Sequence, residues 1–159
     1  MNFDQAFHQL LGHEGSFVDH PADPGGATMW GITERVARAN GYKGHMRDFP
    51  VSLAKQIYRA SYWDAVRADE LPAVARYSVF DAAVNSGVSQ SVKWLQRALG
   101  VSDDGAMGPK TLAAAKTADG QALKAKMLGT RLQFMADLPT WSSFGRGWAR
   151  RVASLLVSP

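Results

Sequence analysis

Hydrophobic residues recur at helical spacing along most of the chain, and one stretch near the start breaks that rhythm. Residues 3–13 place Phe3, Phe7, Leu10 and Leu11 on one face, with Asn2 positioned to cap, and predict an amphipathic helix. Residues 14–31 hold two prolines and four glycines, and they predict a loop or a short irregular β-ribbon. Thr33 is expected to cap a short helix ending near Gly41. Ser52 is expected to cap another, with Leu53, Ile57 and Tyr58 on its buried side. Pro72 opens an apolar helix through Val74, Tyr77, Val79, Phe80, Ala83 and Val84, which stops at Asn85-Ser86-Gly87. Ser89 caps the next, whose face is Val92, Leu95, Gln96 and Leu99, and Gly100 closes it. Asp103-Asp104-Gly105 and Gly108-Pro109 form a turn, with Pro109 at a first helical position. Asp119 precedes a longer helix through Leu123, Met127, Leu132 and Met135. After Pro139 a last helix is expected to hold Trp148, Val152, Leu155 and Leu156. No repeat or low-complexity linker interrupts these elements, and the short connections predict one globule with two lobes.

Composition narrows the chemistry. The chain has 159 residues, 46% of them hydrophobic, enough for a real core. No apolar run reaches the length of a membrane span. Asp4 stands early, and no basic start precedes an apolar stretch, so no secretory signal is expected. There is no cysteine, which excludes disulfides and thiolate chemistry. His8 and His13 are not at zinc spacing, and His13-Glu14 is not followed by the histidine of a zinc protease pattern. Metal chemistry is therefore not expected, and neither a nucleophile elbow nor a phosphate loop is present. The net charge of +4 and a pI near 9.6 suit an acidic polymer: nucleic acid, anionic lipid or bacterial cell wall.

The break in the helical pattern carries the candidate chemistry. Glu14 stands where the first helix ends, Asp23 follows nine residues later, and Thr28 five after that. Two carboxyls facing across a groove suit glycosidic bond cleavage: one holds a proton for the leaving oxygen, the other stays ionised. Glu14, at the junction of a packed helix and a cleft, is expected to have its pKa raised by burial. A rise of ~2 units corresponds to about 3 kcal/mol. Asp23 lies among prolines and glycines, where backbone N–H groups and solvent would keep it charged. Asp-Pro-Gly-Gly is also a good turn sequence, which leaves Asp19 as an alternative second carboxylate.

Glu14-Gly15-Ser16-Phe17, then Asp23-Pro24-Gly25-Gly26 and Thr28-Met29-Trp30-Gly31-Ile32-Thr33, resembles glycoside hydrolase family 108, which contains phage endolysins and related muramidases. Phe80 to Gly87 resembles that family's second signature. Val92 to Arg97 with Asp104 to Thr111 resembles its C-terminal peptidoglycan-binding region. The resemblance runs from about Phe7 to Trp148. Ser16 and Phe17 replace a glycine and a tyrosine of the family pattern, and Asp19-His20 replaces Asn-Asp. These departures touch substrate preference more than reaction type.

The resemblance implies a mainly α, lysozyme-like, two-lobed globule with a small β-ribbon beside the active cleft. Residues 1–90 would be the catalytic region and 91–159 a helical peptidoglycan-binding-like region. It implies an N-acetylmuramidase cutting the β-1,4 bond between N-acetylmuramic acid and N-acetylglucosamine, with Glu14 as general acid, Asp23 as ionised partner and Thr28 as a positioning hydroxyl. Thr28 could instead satisfy backbone groups of the ribbon. Trp30 is a candidate wall of the groove. Tyr58, Tyr62 and Trp63 could stack on sugar rings, although aromatics at helical spacing usually build a core. Asn85 could bind an acetamido group or simply end its helix, and Asp81 could support the site from behind or have an N-terminal or surface role. No cofactor and no nucleic acid is implied. The expected partner is peptidoglycan, the expected state a monomer, and the expected setting a phage endolysin in the host cytoplasm, released by a holin to periplasmic wall. A lytic transglycosylase, a chitinase-like enzyme and a non-catalytic wall-binding module are the rival readings. The segment 140–159 holds Arg146, Arg150 and Arg151, no acid, and several large apolar side chains. It could touch lipopolysaccharide or anionic lipid, or pack as a terminal helix.

Overall fold

A computed structural model describes residues 1–12, 17–19 and 26–158. Glu14 and Asp23 lie outside the described residues. The chain forms two compact units, Phe3–Ser61 and Met1–Asn2 with Tyr62–Pro159. The boundary expected at residue 90 falls inside the second of these.

In the first unit, helix α1 (Phe3–Leu11) buries Phe3, Ala6, Phe7 and Leu10. The rings of Phe3 and Phe7 stack at 6.0 Å, and Phe7 meets Tyr58 at 5.8 Å. Strands β1 (Thr28–Met29) and β2 (Ile32–Thr33) form an antiparallel ribbon with Thr28 opposite Thr33. Val18 extends it by one bridge to Thr28. Thr33 ends the ribbon and starts helix α2 (Glu34–Ala39), its side chain accepting from the Val36 N–H as expected. Helix α3 (Val51–Tyr58) is capped by Pro50 without any side-chain bond, so Ser52 is not its cap. Its buried face is Ala54, Ile57 and Tyr58, and Leu53 is only half-buried.

Among the described residues, the second unit holds five α-helices: α4 (Arg76–Ser86), α5 (Val88–Leu99), α6 (Pro109–Thr117), α7 (Gly120–Ala136) and α8 (Trp141–Val157). Helix α4 starts four residues later than Pro72 predicts. The Arg76 guanidinium donates to the Leu71 and Asp69 carbonyls, which ties the preceding turn to the helix start. Gly87, at φ 86°, both ends α4 and precedes α5. No side chain caps α5, and Ser89 lies inside its first turn. Gly100 ends α5 in the left-handed region that glycine reaches without a Cβ penalty. Pro109 is the first residue of α6, and the Asp119 carboxylate caps α7 through the Ala122 N–H at 2.7 Å. These three signals match expectation.

The core of this unit is largely apolar, with two ionic exceptions. Trp63 and Phe80 meet edge-on at 5.5 Å, and Trp94 meets Phe134 at 5.5 Å. The first is Asp81 on α4, which is 1% exposed. One carboxylate oxygen accepts from Arg131 of α7 at 2.7 Å, and the other from Arg151 of α8 at 2.9 Å. Asp81 thus ties three helices together and has no surface role. Lys124 of α7 is also buried, and its ammonium donates to the Ser158 carbonyl at the end of α8. Burial lowers its pKa below the ordinary lysine value. Val152 and Leu155 face the core from α8, whereas Leu156 is exposed.

Candidate active site

The described part of the candidate site is the ribbon and what holds it. Thr28 spends its backbone on Val18: its N–H donates to the Val18 carbonyl at 2.7 Å and its carbonyl accepts from the Val18 N–H at 2.9 Å. Its side chain is half-buried, and among the described residues its hydroxyl has no hydrogen-bond partner. The ribbon's own backbone therefore does not consume that hydroxyl.

Trp30 and Gly31 make the two-residue turn between β1 and β2, with φ 54° and 74°. A hairpin loop of this length favours positive φ at both central residues, because that twist matches the strands. Glycine adopts it freely, whereas a bulky residue there is strained by about 1–3 kcal/mol. Two bonds hold Trp30 in place. Its indole N–H donates to the Phe49 carbonyl at 2.9 Å, and its carbonyl accepts from the Tyr58 hydroxyl at 3.1 Å. Trp30 is thus held at its indole nitrogen and at its backbone carbonyl, and it stays half-buried, a geometry suited to the wall of a sugar site.

Tyr58 itself is 2% exposed, so its ring has no open face for a sugar. It supports Trp30 from within the core. Trp63 is fully buried against Phe80 and is likewise a core residue. Tyr62 is half-buried and belongs to the second unit. Asn85, also in that unit, is exposed, and its amide nitrogen donates to the Asp81 carbonyl one turn back at 2.8 Å. One N–H of the amide is therefore spent on the end of its own helix. Asp19 is exposed beside Val18.

Arg47 was not among the residues singled out by sequence. Its guanidinium lies over the Phe17 ring at 4.1 Å, next to the bridge between Val18 and Thr28. It has no carboxylate partner among the described residues. Nothing in the linear sequence brings residues 17 and 47 together, so only the fold reveals the pair.

Residues 7–87 match the family described as Glycosyl hydrolase 108. Residues 90–153 match the family described as Predicted Peptidoglycan domain. Among solved structures, twelve chains match. One is the structure of Brucella abortus SagA, which is 37% identical, covers 97% of this chain and 91% of that chain, and superposes with a TM-score of 0.85. None of the curated proteins matches. The mainly α, lysozyme-like fold with its two-stranded ribbon agrees with the expectation from sequence.

Proposed function

This chain belongs to the glycosyl hydrolase 108 family, and from that membership we propose that it is an N-acetylmuramidase. It would hydrolyse the β-1,4 bond between N-acetylmuramic acid and N-acetylglucosamine in bacterial peptidoglycan. The observation that carries this reading is the succession, along one chain, of a glycoside hydrolase match over residues 7–87 and a peptidoglycan match over residues 90–153. In this reading Glu14 gives its proton to the leaving oxygen. Asp23 stays ionised and stabilises positive charge at the anomeric carbon or activates water. Thr28, whose hydroxyl is not engaged by any described residue, positions water or sugar, and Trp30 forms part of the wall.

Mass spectrometry of fragments released from purified peptidoglycan tests the reaction type. Wild type is expected to yield muropeptides ending in reducible N-acetylmuramic acid, and Asp23→Asn is expected to yield at least about 100-fold less. Ends in the 1,6-anhydro form that survive Asp23→Asn would assign a lytic transglycosylase instead. Binding to sacculi with no fragments from either form would leave a wall-binding module.

The biological setting we assign is host lysis by a bacteriophage enzyme held in the cytoplasm, with a separate hole-forming protein giving access to the wall. The support is the resemblance of the Glu14 to Thr33 segment to phage endolysins. Producing cells are then expected to lyse only when a hole-forming protein is co-expressed. Lysis by this chain alone, followed as culture turbidity, would remove that setting.

A further inference from the structure

Gln96 is a polar residue on an otherwise apolar helix face, and it is 1% exposed. Its amide nitrogen donates to Asp104 Oδ1 at 2.7 Å, to the Ala106 carbonyl at 3.0 Å and to Thr111 Oγ1 at 3.0 Å. Its amide oxygen accepts from the Gly105 N–H at 2.9 Å. Asp104 Oδ1 also accepts from the Ala106 N–H at 2.9 Å. One buried side chain therefore fixes the whole turn between α5 and α6. Such a network is costly unless fully paired, and when paired it makes the turn rigid.

The rigid turn frames a cavity of about 420 Å³. That is within the range of small-ligand sites, roughly 300–1,000 Å³. Val101, Ala106 and Pro109 supply apolar lining, and Asp104 and Lys110 supply charge. The Ala106 N–H and the Gln96 amide hold the Asp104 carboxyl below the usual carboxylate pKa, so it is ionised at neutral pH. Both of those bonds fall on Oδ1, and no other described residue hydrogen-bonds Oδ2. Lys110 has no carboxylate partner among the described residues either, and the two are not paired with each other. Two unspent opposite charges lining one apolar cavity complement a ligand that carries both signs.

We propose that this cavity binds the zwitterionic amino-acid end of a peptidoglycan peptide stem, with Asp104 receiving the ammonium and Lys110 the carboxylate. In a wall polymer that group is the free end of the stem's diamino acid. The choice of ligand source rests on the peptidoglycan reading above, whereas the charge pattern does not. The glycan strand offers acetamido and hydroxyl groups but no ammonium, so it leaves Asp104 Oδ2 unanswered.

The test is a titration of the full chain with γ-D-glutamyl-meso-diaminopimelate whose glutamyl amine is blocked by acetylation, so that the diaminopimelate amine alone is free, followed by backbone amide NMR. The amides of Gly105, Ala106 and Lys110 are expected to shift, and binding is expected to weaken roughly tenfold in Asp104→Asn and in Lys110→Gln. Asparagine keeps the Oδ1 acceptor that Gln96 and Ala106 use, and residue 110 is exposed, so both variants are expected to melt with wild type. N-acetylating the free amine of the dipeptide is expected to abolish the shifts. Equal binding after acetylation, or equal binding by both variants, would overturn the inference, as would an absence of shifts at the turn. If the dipeptide binds with this charge dependence while no fragments are released from peptidoglycan, the cavity assignment holds and the muramidase reading fails. If fragments are released and the dipeptide does not bind, the cavity assignment alone fails.

Discussion

Replacing Glu14 by Gln is expected to reduce release of reducing ends from peptidoglycan by about 10²–10⁴-fold, while binding to intact sacculi stays near wild type. The two carboxyl oxygens and the amide have nearly the same shape, so the change removes a proton donor and little else. A leaving sugar oxygen that departs without a proton must depart as an alkoxide, and positioned general acids are worth about that factor. A reducing-end assay over time, beside a pull-down on sacculi, separates lost chemistry from lost binding. Retention of more than about a tenth of wild-type activity would move the general acid to another carboxylate, with Asp19 the nearest described one in sequence. Loss of sacculus binding together with activity would show that the substitution disturbed the chain more widely.

Asp81→Ala is expected to cost about 3–5 kcal/mol, because it leaves the Arg131 guanidinium buried without its counter-charge. Arg131 is 3% exposed at its side chain, so water cannot replace the carboxylate, whereas Arg151 at 25% can turn partly outward. For a chain of this size each kcal/mol moves the melting point by about 2–4 °C, so a fall of roughly 6–20 °C is expected. The double variant Asp81→Leu with Arg131→Met removes both buried charges and should recover much of that loss, since apolar replacements of buried ion pairs are often neutral. Calorimetric melting of the two variants checks this. A melting point for Asp81→Ala within 2 °C of wild type would mean that the ionic tie contributes nothing that packing does not already supply.

Most helices were legible because their ends carry chemistry. Thr33 and Asp119 cap through their side chains, Gly100 supplies a positive φ, and Pro109 starts α6 where no N–H is needed. Ser52 and Ser89 misled for a physical reason: serine also fits the first turn of a helix, and Pro50 and Gly87 do the terminating instead. The buried Asp81 was not legible, since its partners stand 50 and 70 residues away. Gln96 gave a faint signal, a polar side chain in an apolar row three residues before a helix ends, but the turn that satisfies it comes later in the chain. In the candidate site, the ordered motif from Glu14 to Thr33 was readable as chemistry, whereas the roles of Tyr58 and Arg47 were not. Periodicity says that Tyr58 shares a face with Ala54 and Ile57, and it cannot say that its hydroxyl reaches the turn at Trp30.

The attachment of α8 at two points bears on how deletions of this chain are read. Arg151 reaches Asp81 near the middle of the helix, and Ser158 receives Lys124 at its end. Trimming the chain at residue 140 would strip a counter-charge from one buried acid and both hydrogen-bond acceptors from a buried ammonium. A shortened protein that loses potency would then report a broken interior before it reported a missing surface. Single exchanges on the outward side of α8, at Phe144 or Arg146, leave both anchors in place and are the cleaner instrument.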